Sequence, residues 1–183
     1  MDGGKMSGHS TADSRLLAPG IILALLSILF GFLLGGSFGA AEDTLKGELR
    51  SSADAVFDTV YEGDASRRDA VVAKSWSYMK RAHLHGGAIG GAALASIVLL
   101  AILGRPGPLE RIAAISFGAG SLLYSIFWLA AGLSAPALGN TGQAKEALSF
   151  LAIPGAGLCL LGIAGTLVST LRSWANSSPS PPA

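Results

Sequence analysis

The chain has 183 residues, of which 50% are hydrophobic and only 14% are charged, and its mean hydropathy is +0.52. Soluble domains have about 25% charged residues, so this composition excludes an ordinary soluble domain. A net charge of +1 provides no field for nucleic acid. The single cysteine, Cys159, excludes an intramolecular disulfide.

Four stretches without Asp, Glu, Lys or Arg are long enough to cross a bilayer, since a helix rising 1.5 Å per residue needs about 20 residues. They predict an all-α fold, a four-helix transmembrane bundle, in a membrane domain at 15–173. Its spans are predicted at 16–41, 82–104, 112–133 and 147–171. The two tails, 1–14 and 174–183, are rich in Gly, Ser or Pro and are predicted to be disordered.

The apolar part of the first span is longer than the roughly 7–15 residues of a signal peptide, which favours an uncleaved anchor. Glycines recur at every fourth position in the first two spans and should allow their helices to approach closely. These candidate helix-packing residues are Gly31, Gly35, Gly39, Gly86 and Gly90. Alternatively, these glycines could form a surface that binds another subunit.

Residues 42–81 form a polar segment that holds fifteen of the 25 charged residues. Apolar residues recur within it at spacings of three and four, which predicts an amphipathic helical hairpin between the first and second spans. The first stripe consists of Leu45, Leu49, Ala53, Val56, Phe57 and Val60. Such a hairpin either packs on itself as a connector or lies on the membrane and docks a partner.

Two of the three histidines, His83 and His85, lie where the second span enters the membrane. Imidazole is the commonest metal and haem ligand. Residues two apart on a helix point about 200° apart, so the two rings should not reach one ion together. We expect His85, the deeper ring, to face the bundle, with Glu42 or Asp43 at the end of the first span as its candidate partner and as the candidate co-ligand of a metal ion.

These histidines leave three interpretations open. His83 and His85 could contact haem b or a quinone, they could supply one ligand to a single metal ion, or they could bond lipid headgroups at the interface. We expect His85→Ala to disturb folding or cofactor content more than His83→Ala, because a polar ring buried more deeply needs a partner more urgently.

The third span has a partly polar stripe that could form hydrogen bonds across helices or face a cofactor. It consists of Ser121, Tyr124, Ser125 and Trp128. The turn-forming segment 134–142 predicts that this helix ends near Leu133. The sequence contains no Walker loop, no H-E-x-x-H and no G-x-S-x-G motif, so a catalytic site is not predicted.

Two short motifs, Phe38-Gly39-Ala40-Ala41-Glu42-Asp43 and Arg81-Ala82-His83-Leu84-His85-Gly86, are similar to those of uncharacterised small four-span bacterial inner-membrane proteins. The H-x-H at a helix entrance also resembles short histidine motifs of haem–copper-oxidase-like membrane subunits. That resemblance covers about six residues and lacks the family's other helix histidines. It implies proximity to the respiratory chain and no haem–copper site.

The flanking charges favour both termini in the cytoplasm and the hairpin outside, because Lys5 and Arg15 precede the first span while acids follow it. We therefore expect a non-enzymatic accessory or structural subunit of a larger inner-membrane complex, with a respiratory complex as one candidate. Its partners would be the lipid bilayer and either other membrane subunits or further copies of the chain. The alternative is a haem- or metal-binding redox protein that uses His83 or His85.

Overall fold

The computed structural model describes residues 15–104 and 106–176, and all regular structure within them is helical. The prediction of an all-α four-helix transmembrane bundle is confirmed: four of the helices are long and apolar enough to cross a membrane. In chain order the helices are α1 (Ala18–Asp54), α2 (Phe57–Val60), α3 (Ala65–Ile102), α4 (Pro108–Leu138), α5 (Thr141–Ala147) and α6 (Ser149–Asn176).

Helix α4 is the centre of the bundle and packs against α1, α3 and α6. In its most apolar stretch 56% of the residues are buried, compared with 17–28% in the other three spans. One cluster of its contacts with α1 and α3 is made by Ala113, Ala114 and Phe117, and another contact with α3 is made by aromatic side chains, while α1 also packs along α3. Large apolar side chains on the outer faces of α1 and α6 are left for lipid.

The first two long helices continue from the spans into the polar segment. Helix α1 runs through Asp54 with one non-helical residue, Ala41, whose φ is −141°. Helix α3 begins at Ala65, where the Asp64 side chain accepts a hydrogen bond from the backbone N–H of Arg67. The hairpin therefore consists of the C-terminal part of α1 and the N-terminal part of α3, which are joined by the short helix α2.

The apolar stripe of the hairpin packs inward. Leu49 and Ala53 are buried, and Leu49 belongs to a cluster with Phe38, Trp76 and Met79. Where the hairpin turns, the buried hydroxyl of Tyr61 donates a 2.6 Å hydrogen bond to the carbonyl oxygen of Pro136 on α4. These contacts favour the connector interpretation of the hairpin over a helix that lies on lipid.

The expected end of the third helix near Leu133 is wrong. Helix α4 continues through Pro136, which is buried, and stops at Gly139, where a left-handed φ of 63° turns the chain. Asn140 then caps α5 by accepting hydrogen bonds from the N–H groups of the next turn. Only Gly139 and Asn140 of the predicted turn segment 134–142 form the turn, because Pro136 alone does not end a helix that is held by packing.

Two predicted segments fall largely outside the described residues. The expected N-terminal tail at 1–14 lies there entirely, as does the part of the expected C-terminal tail from 177 onward. Residues 174–176 continue α6.

Candidate functional site

The crossing of α1 and α3 determines where the first histidine lies. A Cβ added to Gly31 would be 2.6 Å from the backbone nitrogen of Gly87, and one added to Gly86 would be 3.0 Å from the Cα of Gly31. The hydroxyl of Ser27 donates a 3.2 Å hydrogen bond to the carbonyl oxygen of Gly86. The two backbones therefore approach so closely that only glycine fits at the point of contact.

His83 lies at this crossing and faces α1. Its Nδ1 donates a 2.7 Å hydrogen bond to the carbonyl oxygen of Gly31. The ring covers Gly35, where an added Cβ would be 2.5 Å from the ring's Cε1 atom. Because Nδ1 carries the proton, the neutral imidazole presents a lone pair at Nε2.

A groove of about 450 Å³ lies beside this ring, between α1 and α3. Its lining residues are Gly35, Phe38, Gly39, Glu42, Trp76, Lys80, His83 and Leu84. Glu42 is paired with Lys46, whose ammonium group is also 5.4 Å from the centre of a Trp76 ring. The groove thus combines one imidazole, one carboxylate and the ammonium group of Lys80 with aromatic walls.

His85 lies on another side of α3. Its Nδ1 donates a 2.8 Å hydrogen bond to the carbonyl oxygen of Arg81 in the same helix. Its ring centre is 5.3 Å from that of Tyr124 and 6.1 Å from that of Trp128, both on α4. The rings of His83 and His85 therefore contact different helices, as the spacing of two predicts.

The expected pairing of His85 with Glu42 or Asp43 does not occur. His83 shares the groove with Glu42, whereas His85 contacts α4. Asp43 is exposed on α1. Among the described residues, no three His, Cys, Asp or Glu side chains come together as a metal-binding group. The sequence correctly predicted that the two histidines point in different directions from α3. It assigned the wrong histidine to α1, because the depth of a residue in the span does not determine which side of the helix it lies on.

The polar stripe of α4 does not form hydrogen bonds across helices. The hydroxyls of Ser121 and Ser125 are buried and donate to carbonyl oxygens one turn earlier in α4 itself, at 2.8 and 2.7 Å. The indole nitrogen of Trp128 is buried and has no partner among the described residues. Tyr124 and Trp128 belong instead to an aromatic cluster with Tyr78 and Phe127.

Sequence reasoning missed a second feature, which is a set of cations around this aromatic cluster. Lys74, Arg81 and Lys145 each lie within 6.0 Å of the ring centre of Tyr78. The signal was present in α3, where Lys74, Tyr78, Arg81 and His85 follow at spacings of four, three and four and so share one face. The contribution of Lys145 depends on the position of α5, which no local pattern indicates.

The candidate packing glycines do not all pack within the bundle. Gly31 and Gly86 meet at the crossing, Gly35 lies under the His83 ring, and a Cβ on Gly90 would be 3.0 Å from the Ile28 side chain. Gly39 differs, because an added Cβ there would meet nothing within 4 Å. Its face of α1 is open.

Comparison of the chain with protein-family models, with curated proteins and with solved structures found no match in any of the three. The functional conclusions below therefore rest on the geometry and on the sequence.

Proposed function

We propose that the protein is a non-enzymatic structural subunit of a larger complex in the inner membrane. The observation that carries this proposal is an open face of small residues on α1, next to the hairpin. Gly36, Ser37, Gly39 and Ala40 are all exposed there. A Cβ added to Gly36 or Gly39 meets nothing within 4 Å. Small residues on a membrane helix let a second helix approach closely.

The rest of the outer face of α1 differs from this segment. Its exposed side chains earlier in the span are large and apolar, as expected for contact with lipid. They are Ile22, Leu25, Leu26, Leu29, Phe32 and Leu33. The change from large to small residues within one helix face leaves a shallow depression, which suits a neighbouring helix better than disordered acyl chains.

The polar hairpin stands at the same end of α1 and supports the same function. It is continuous with α1 and α3, so a subunit that contacts the small-residue face can also contact the charged outer surface of the hairpin. The resemblance of the H-x-H segment to respiratory membrane subunits makes respiratory complexes the first place to look for the partner. A second copy of the chain is the other candidate.

Substitutions on the open face test the proposal. Gly36→Leu and Gly39→Leu fill the depression without entering the bundle, and they should dissociate the partner. Gly157→Leu on α6 is the matched control, because a Cβ there also meets nothing within 4 Å. The readout is a native gel of protein extracted in mild detergent, together with identification of the subunits that co-purify.

Two results would overturn the subunit proposal. One is migration of the unmodified protein solely as a monomer, with no subunit co-purifying. The other is a complex that survives Gly36→Leu and Gly39→Leu as well as it survives Gly157→Leu.

The proposed orientation places both termini in the cytoplasm, on the strength of the charges that flank the first span. Reporter fusions after Gly63, Pro106 and Asn140 should then report outside, inside and outside. Any other alternation contradicts this topology.

A second candidate function is a redox protein that holds haem or a single metal ion at His83. It is favoured by the hydrogen bond from Nδ1 to the Gly31 carbonyl, since metal-binding histidines usually donate their other ring N–H to such an oxygen. Glu42 lines the same groove. An absorption spectrum and elemental analysis of the purified protein test it, with His85→Ala as the control for His83→Ala. Absence of both a Soret band and a stoichiometric metal removes this candidate.

A further inference from the structure

Three cations converge on one aromatic ring at the hairpin end of the bundle. The Nζ atoms of Lys74 and Lys145 are 5.9 and 6.0 Å from the ring centre of Tyr78, and the Cζ of Arg81 is 5.7 Å from it. Arg81 also covers the ring of Trp128 at 4.8 Å. Since all three charges surround one ring, no two of them are more than about 12 Å apart, close to the distance at which salt screens charges.

None of these three side chains forms an ion pair with an Asp or Glu within the part of the chain that the structure describes. The ion pairs there involve Lys46, Arg50 and Arg68 and lie elsewhere in the hairpin. The guanidinium of Arg81 stacks on aromatic rings, and its N–H donors have no acceptor among the described residues. A guanidinium has five such donors in a fixed fork that suits phosphate.

The aromatic cluster holds the cations in place. Tyr78 and Trp128 are buried, with ring centres 4.9 Å apart. Leu148 and Leu151, which follow Lys145, pack against the same cluster and fix the position of α5 beside it. The buried indole N–H of Trp128 is a further donor without a partner among the described residues.

From this geometry we infer that Lys74, Arg81 and Lys145 bind the phosphate group of an anionic membrane phospholipid. The site lies where the apolar spans meet the polar hairpin, which is the level of lipid headgroups. Exposed apolar side chains of Phe150 and Ile153 begin immediately beyond α5. A lipid bound by its phosphate can lay its acyl chains along this surface, which a soluble anion cannot do.

Native mass spectrometry of the full chain in detergent, with equimolar phosphatidylglycerol and phosphatidylcholine, tests this inference. The unmodified protein should retain phosphatidylglycerol preferentially. The double variant Lys74→Gln/Lys145→Gln should lose this binding by on the order of tenfold or more, because each basic residue near a membrane contributes to attraction of anionic lipid. The matched control is Lys46→Gln/Lys80→Gln, which removes two exposed lysines at the same end of the bundle and should retain the lipid.

A second variant separates the guanidinium fork from simple charge. Arg81→Lys keeps the charge but loses the two-pronged contact with phosphate. It should therefore weaken retention of phosphatidylglycerol, and the thermal midpoint in lipid-free detergent shows that the variant is folded. This variant also keeps the inference testable if the double variant does not fold.

Three outcomes would overturn the inference. The first is equal retention of the two lipids by the unmodified protein. The second is equal loss of phosphatidylglycerol from the double variant and its control, with no effect of Arg81→Lys. The third is binding of inorganic phosphate as tight as that of phosphatidylglycerol, which would identify a soluble anion as the ligand.

Discussion

Helix α3 is packed in two different ways on its two sides at the level of the histidines. On the side of His83, it meets α1 backbone to backbone through Gly31 and Gly86. On the side of His85, it meets α4 through the rings of Tyr124 and Trp128, with ring centres 5.3 and 6.1 Å from that of His85. The glycine contact on the first side has no room for a side chain at either residue, whereas the second side is filled by aromatic side chains.

This difference teaches which substitutions each side tolerates. A contact built from glycines fails when an atom is added, because backbone atoms cannot move aside. A contact built from aromatic rings fails when atoms are removed, because the surrounding structure closes the cavity only in part. Substitutions on the two sides of α3 test this contrast.

The largest effect is expected from Trp128→Ala on the aromatic side. It should lower the free energy of unfolding by about 3–5 kcal/mol, the usual range for removal of a buried large aromatic ring. Trp174→Ala is the control, since that side chain is 71% exposed, and it should change stability by less than about 0.5 kcal/mol. Thermal denaturation in detergent measures both. Equal losses for the two variants would show that the aromatic side is not a packed contact.

On the glycine side, Gly31→Ala should destabilise the protein by about 1–3 kcal/mol, because the new methyl group meets the backbone of Gly87 at 2.6 Å. Gly87→Ala is the matched control, and it should have the opposite effect on the stability of the protein. An added Cβ there meets nothing within 4 Å, so the better helix propensity of alanine should stabilise the protein by about 0.5–1 kcal/mol. The same denaturation experiment decides, and a stabilising Gly31→Ala would refute the close crossing.

The two histidines provide the direct comparison. His83→Ala removes a hydrogen bond between helices and should cost about 1–2 kcal/mol. His85→Ala removes a bond within α3 and should cost less. This order reverses the one expected from depth in the span, and it is contradicted if His85→Ala is the more destabilising variant in thermal denaturation.

Tyr61→Phe measures the contribution of one hydrogen bond that lies away from both sides of α3, between the turn of the hairpin and α4. It removes the donor to the Pro136 carbonyl and should cost about 1 kcal/mol. Burial raises the pKa of the Tyr61 hydroxyl above its ordinary value of 10.0. The unfolded chain therefore ionises first, and stability falls as the pH rises above 10.0. Alkaline denaturation should be less steep for Tyr61→Phe than for the unmodified protein, and equal slopes would contradict this role.

The bundle itself was predictable from the sequence because each span had to satisfy its own backbone within about 20 uncharged residues. The amphipathic stripe around Leu49 and Ala53 likewise predicted the hairpin. These are local patterns, and the structure follows them.

The site was less predictable because it depends on helix rotation and on distant segments. The spacing of His83 and His85 showed that they diverge, but only the glycine contact at Gly31 shows which one faces α1. Serines such as Ser121 could satisfy their hydroxyls within their own helix, so their polarity carried no information about neighbours. Lys145 reaches Tyr78 across 67 residues of sequence, a contact that no spacing rule contains.

The continuity of α1 and α3 from the spans into the hairpin has a mechanical consequence. A helix of 37 residues is about 55 Å long, and two such rods are connected by ion pairs from Arg68 to Asp54 and from Arg50 to Asp69. We expect a force at the tip of the hairpin to tilt the two helices, because they continue from the hairpin into the spans without an intervening loop. On α1 the tilt concentrates at Ala41, the one non-helical residue in that rod, directly beside Glu42 in the His83 groove. We therefore expect movement of the hairpin relative to the spans to pivot at Ala41.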